Sequence, residues 1–364
     1  ATAARAGATV EPFGCYVHVP FCAKRCDYCA FATWTDRAHL VGRYLRACRH
    51  EVEREVAAGM PMVTSVFVGG GTPSLVPPED LLAVIEPLPL APGAEVTVEC
   101  NPDSVTATLL SVYSNGGVNR ISLGVQSMVP GVLAALGRTH DPDNVRRSVE
   151  LVRDAGIERF NLDLIYGATG ESIEDWRATL EETIALDPPH VSAYGLTVEP
   201  GTALHDDPNR HPDDDDQADK YLLATEVFDD AGLHWYEISN WARPGEACRH
   251  NRLYWAQGEY AAIGCAAHGH RAGRRYWNVR TPERYVEAIE AGRDPVAADE
   301  RLDVSARRLE ALQLALRTDS GVPESALPLG EDPALDALLD VRAGRAHLTM
   351  AGRLLANEVA VRLR

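Results

Sequence analysis

The chain has 364 residues, 45% apolar and 24% charged, and its 53 acidic against 35 basic side chains give a formal net charge of −18. That mixture excludes a disordered chain, and the acidic excess argues against nucleic acid as the main partner, because phosphate binding needs clustered Lys and Arg. The length points to two domains, or to one large α/β domain with an appendix, and a core of that size forms without disulfide staples. No apolar run reaches the roughly 18 residues of a membrane-spanning helix, and residues 1–14 lack the apolar stretch of a signal peptide. The expectation is a cytoplasmic protein with at most peripheral membrane contact. In that compartment its eight cysteines serve as metal ligands, reactive thiols or small core residues.

Short β-rich runs alternate with longer helical patterns from Cys15 to about Thr197. Strands are expected at Cys15–Val19, Ser65–Val68, Glu95–Cys100, Arg120–Val125, Phe160–Ile165 and Val191–Leu196. Helices are expected at Leu40–Ala58, Pro78–Glu86, Asn144–Ala155 and Ser172–Leu186, the last with Ser172, Glu174 and Asp175 as its start signal. Six strand–helix alternations imply a parallel sheet with right-handed crossovers, too few for a closed eight-fold barrel. The acidic stretch Asp206–Asp219 reads as a solvated loop, followed by a helix over Ala218–Ala231 and a strand at Trp235–Ile238. Beyond Glu300 the pattern turns helical and ends in Ala346-His347-Leu348-Thr349 and Met350–Leu363. The division is then a tail (1–14), a partial barrel (15–205), a capping region (206–300) and a small helical or winged-helix-like α+β appendix (301–364).

The densest chemistry lies in Tyr16-Val17-His18-Val19-Pro20-Phe21-Cys22-Ala23-Lys24-Arg25-Cys26-Asp27-Tyr28-Cys29, where three cysteines spaced C-x3-C-x2-C follow the first strand. Three thiolates on one short loop suit three irons of a [4Fe–4S] cube and leave the fourth iron open. Lys24 and Arg25 favour the ionised thiols. A structural zinc site would need a fourth ligand; Cys48 and His39 are nearest, but both fall on an expected helix.

This pattern resembles the signature of radical S-adenosylmethionine (SAM) enzymes, which implies a partial (β/α)6 barrel whose open iron chelates the amino and carboxylate groups of SAM. Gly69-Gly70-Gly71-Thr72-Pro73 after the second strand resembles the family's glycine loop; taken alone it is a turn in which backbone can approach a ligand closely. Glu99, Gln126 and Asp163 stand in or just past apolar strands, where a polar group needs a partner. Strand ends of a barrel favour ligand binding, although an internal hydrogen bond would account for any one of them. Arg138 has the charge to neutralise a carboxylate. The resemblance implies SAM contacts from Tyr16, Tyr28, Gly70, Gly71, Thr72, Glu99, Gln126, Arg138 and Asp163.

Tyr-Val-His-Val-Pro-Phe-Cys, Gly-Gly-Gly-Thr-Pro and Asn161-Leu162-Asp163-Leu164-Ile165-Tyr166-Gly167 together are similar to the oxygen-independent coproporphyrinogen III dehydrogenase branch. Enzymes of that branch carry a further cysteine where this chain has Phe31, and a longer N-terminal extension. Cys-x-Phe and His250-Asn251-Arg252-Leu253-Tyr254-Trp255 are instead similar to the branch's haem-chaperone group. That resemblance implies three cofactors, a [4Fe–4S] cluster, SAM and haem, and as partners the acceptor haemoproteins to which haem is delivered, respiratory enzymes among them. His250 offers an imidazole, and Tyr254 and Trp255 flat apolar surface; on residue types alone they also read as a buried histidine with core aromatics. His268, beside a second glycine-rich loop, and Cys248 are alternative haem ligands. The remaining readings are coproporphyrinogen oxidative decarboxylation and, from the winged-helix-like tail alone, a DNA-binding or interaction module that the −18 charge opposes. Monomer and homodimer both stay open.

Overall fold

The computed structural model describes residues 11–363; positions 1–10, most of the expected tail, and position 364 lie outside the described residues. In chain order the elements are β1 (Phe13–Val19), α1 (Val41–Ala57), β2 (Val63–Gly70), α2 (Pro78–Ile85), β3 (Leu90–Cys100), α3 (Ala107–Asn115), β4 (Arg120–Gln126), α4 (Pro130–Ala135), α5 (Pro142–Asp154), β5 (Arg159–Tyr166), α6 (Ile173–Ala185) and β6 (His190–Gly195). They continue as α7 (Asp214–Asp230), β7 (His234–Glu237), β8 (Asn240–Ala242), α8 (Arg249–Trp255), β9 (Glu259–Ile263), β10 (His268–Arg271), β11 (Arg274–Asn278), α9 (Pro282–Glu290) and β12 (Val296–Arg301). The appendix holds α10 (Val304–Ala315), β13 (Val322–Pro323), α11 (Pro333–Asp336), β14 (Leu339–Arg342), β15 (Arg345–Leu348), α12 (Met350–Leu354) and α13 (Ala356–Arg362).

β1 to β6 pair in sequence order and in parallel, as expected, and form the middle of a twelve-stranded sheet ordered β12-β11-β10-β9-β1-β2-β3-β4-β5-β6-β8-β7. Side chains of all six strands line one cavity of about 150 Å³, so the sheet curls around it as a partial barrel. A seventh parallel strand, β9, pairs with the outer edge of β1, and the antiparallel β10–β12 extend the sheet beyond it. The apolar core lies between the strands and helices, with Val17, Val66, Val98, Leu123, Leu162 and Val191 buried. The appendix has its own smaller core around Leu316, Leu335 and Leu348 and a three-stranded sheet ordered β13-β15-β14.

Local chemistry sets the helix starts. Ser172 and Asp175 form a complete capping box on α6, and Thr106 accepts from Leu109 N at the start of α3. The acidic stretch departs from the expected loop over its second half. Asp213 caps α7, and Asp214, Asp215 and Asp216 form its first turn, where carboxylates complement the positive end of the helix dipole. Asp216 also reaches Lys220, whose side chain is fully buried. The expected helix over Met350–Leu363 is broken at Leu355, whose ψ of 30° separates α12 from α13. Helices α3 and α4 were not expected. α3 is rich in Ser, Thr, Val, Tyr and Asn, weak helix formers, and is held by burying Leu109, Leu110 and Tyr113.

Candidate cofactor-binding site at the barrel mouth

The three cysteines lie on the loop leaving the C-terminal end of β1, the end at which barrels of this kind place their chemistry. Cys22 N donates to Trp34 O at 3.1 Å and Trp34 N to Pro20 O at 2.8 Å, closing the loop at its base. Thr72 Oγ1 donates to Cys22 Sγ at 3.7 Å and Arg138 Nη1 to Cys26 Sγ at 3.5 Å. Partial burial pushes the Cys22 and Cys29 thiols up. Among the described residues no three His, Cys, Asp or Glu side chains crowd as they would around a single metal ion. A cubane takes each thiolate on a different iron, and three half-buried thiols, two of them met by sulfur-directed donors, fit that demand.

The glycine loop is stitched to the cysteine loop. Gly71 N donates to Val19 O at 2.7 Å and Thr72 N to Phe21 O at 2.8 Å. A Cβ on Gly71 would meet Phe21 O at 2.7 Å, and one on Gly70, where φ is +112°, would meet His18 at 2.4 Å. The space that the missing side chains leave is therefore taken by the protein's own neighbours. His18 uses both ring nitrogens, donating to Ala32 O at 2.9 Å and accepting from Tyr16 Oη at 3.1 Å.

Glu99 accepts from Gly70 N at 3.0 Å; burial and the nearby Asp163 push its carboxyl up to about 8. Asp163 is held by Ser122 Oγ at 2.7 Å and Asn161 Nδ2 at 2.8 Å, and burial raises it. Gln126 sits at a register break with φ +64°, and such a bulge re-aims a side chain. Arg138 Nη2 donates to Gly124 O at 3.1 Å, while its Nε is buried without a partner. Tyr28 packs against the apolar group of Val132, Leu136 and Leu204. A carboxyl acceptor and an orphaned guanidinium N–H at the barrel mouth fit an amino-acid headgroup such as that of SAM.

A radical SAM superfamily profile matches residues 16–183. The haem chaperone HemW of Mycobacterium tuberculosis (strain H37Rv) is 41% identical over 96% of this chain and 94% of that one. The haem chaperone HemW of Escherichia coli is 34% identical over 96% and 97%. The chain belongs to the HemW family. Its fold matches the coproporphyrinogen III oxidase HemN from Escherichia coli with a TM-score of 0.84, covering 97% of this chain and 90% of that one at 21% identity. Radical SAM proteins carry a [4Fe–4S] cluster and SAM.

The structure places the motif His250–Trp255 away from the cysteine loop. α8, which carries it, closes the barrel at the end opposite the cysteine loop. Glu95 Oε1 accepts from Arg249 N at 2.8 Å and His250 N at 3.3 Å, capping the helix from β3. The His250 ring is 1% exposed and engages Ser65 Oγ at 3.0 Å and Tyr254 Oη at 2.8 Å, so neither nitrogen is left for iron. Tyr254 is committed to His250, and Trp255 stands at the end of α8 with a buried Nε1 that finds no partner. Cys248 Sγ donates to Glu95 at 3.5 Å, and burial pushes its thiol up to about 12, which removes it as a thiolate. His268 is exposed at the start of β10 and stacks on Trp277 at 5.7 Å. The residues that sequence reasoning missed are Glu95, the floor's cap, and the pair Asp27–Arg210 at 2.8 Å, which ties the cysteine loop to the segment after β6. A carboxylate within a strand signals Glu95; nothing local signals the pairing of Asp27.

Proposed function

We propose that this chain is a cytoplasmic haem chaperone that binds haem and passes it to acceptor haemoproteins, respiratory enzymes among them. Near-full-length similarity to HemW, at up to 41% identity, carries this reading. In it Cys22, Cys26 and Cys29 hold one [4Fe–4S] cluster, and SAM completes the coordination. Bound there, the reduced cluster and SAM would supply radical chemistry. There Glu99 would accept from the SAM amine and the free Nε of Arg138 would pair with its carboxylate, with Gln126 and Asp163 as further polar contacts. Tyr16, Tyr28, Gly70, Gly71 and Thr72 complete the walls.

The branch's other activity, oxidative decarboxylation of coproporphyrinogen, is favoured only by shape, since likeness to HemN at 21% identity speaks to the fold. Phe31 stands where those enzymes have a further cysteine, and it is 66% exposed on the cysteine loop. Anaerobic reconstitution, followed by haem titration, transfer to an apo-haemoprotein and assay with coproporphyrinogen, separates the two readings. Saturable haem binding with transfer and no porphyrinogen product is expected. Turnover to protoporphyrinogen would establish the enzyme instead.

A further inference from the structure

The barrel cavity measures about 150 Å³, well below the roughly 300–1,000 Å³ that enclose a drug-sized ligand. Its lining comes from the inner strand faces and α8, with none of the cysteine-loop residues, so it does not enclose a porphyrin. Haem bound outside it needs an imidazole with a free nitrogen. His18 and His250 spend both ring nitrogens inside the protein, and so does His190, on Asn161 and Tyr236. His268 makes no ring hydrogen bond among the described residues and is exposed; His39, His50, His234 and His347 also make none, but they stand on other elements, away from β9–β11.

Its position agrees. β9 runs parallel to β1, with Tyr16 opposite Ala262 and Val17 opposite Ile263. The turn after β9 therefore delivers His268 to the same end of the sheet as the cysteine loop. His268 and His270 alternate on one face of β10, and His270 pairs with Tyr260 of β9, so His268 faces the side on which Tyr16 lines the barrel. His18, on the same face, holds Ala32, the neighbour of the exposed Phe31. Trp277, directly across β11 from His268, stacks on it at an interplanar angle of 24°. Arg280 follows β11 at the same end, exposed.

We propose that haem docks at the barrel mouth, on the Tyr16-side face of β9–β11 beside the cysteine loop, with the His268 imidazole as its axial ligand. This rests on the haem-chaperone reading. Phe31 supplies flat apolar surface, Trp277 holds the imidazole in place by stacking on it, and the Arg280 guanidinium meets a propionate. Ligation uses the neutral imidazole lone pair, and no bond within the protein has to break.

Haemin titration of the reconstituted full chain tests this, read by the Soret band. His268→Gly is expected to shift the band and weaken binding more than about tenfold, and free imidazole to restore the band. Trp277→Leu is expected to weaken binding with the band unmoved. His250→Gln is expected to leave the band in place. A His268→Gly protein with the parent's band and affinity overturns the site, as does a folded His250→Gln protein that loses the band. Failure of the parent chain to bind haem saturably overturns the chaperone reading and the site with it.

Discussion

His250 behaves as a structural histidine. Burial lowers its pKa from 6.5 to about 3, so in the folded chain it stays neutral while the unfolded chain protonates near 6.5. Its contribution to stability is thus complete above pH 6.5 and is lost as pH falls from there towards 3, by up to about 1.4 kcal/mol per pH unit. Replacing it also strands the hydroxyls of Ser65 and Tyr254, at a cost of about 1–3 kcal/mol. His250→Gln is expected to lower the urea midpoint at pH 7.5 and to flatten the decline between pH 6.5 and 4; a decline as steep as the parent's would refute the assignment. None of this was legible locally, because the ring's partner Ser65 lies 185 residues away and the cap Glu95 lies 155 residues away. The cysteines and the glycine loop were legible, because their spacing along the chain is itself the chemistry.

At the scale of elements, the segment between β6 and α7 straps the cysteine loop. Leu204 N donates to Asp27 O at 3.0 Å. Arg210 Nη2 donates to Asp27 Oδ2 at 2.8 Å and to Ala135 O at 2.7 Å, at the end of α4. Asp27 lies between Cys26 and Cys29, so the strap fixes the loop that carries them. An exposed ion pair alone contributes about 0–1 kcal/mol, and the effect belongs in retention of the cluster rather than in melting. Arg210→Ala and Asp27→Ala are each expected to speed iron loss to a chelator severalfold, and the double variant to lose it no faster than either. Additive losses would show that the two do not act together. The strands of the barrel read clearly from sequence because both of their faces are buried, which makes apolar runs. α4 and β9 are short, and their pairing, not their composition, creates them.

The whole molecule depends on one distant pairing. Removing residues 302–363 leaves every neighbour in the twelve-stranded sheet in place, whereas a chain ending at Gly258 loses β9 and bares the edge of β1. The shorter chain is expected to be aggregated by size-exclusion chromatography, and a monodisperse product with native circular dichroism would contradict this. The separate core of the appendix supports the same contrast. β1 ends at Val19 and β9 begins at Glu259, a separation of 259 − 19 = 240 residues. At about 5–20 residues per second, the ribosome exposes the cysteine-bearing strand for tens of seconds before its outer partner exists. Cluster loading on the finished edge therefore belongs after release of most of the chain, and a nascent HemW-family protein spends its synthesis with its cofactor loop open to oxidation and to neighbouring strands.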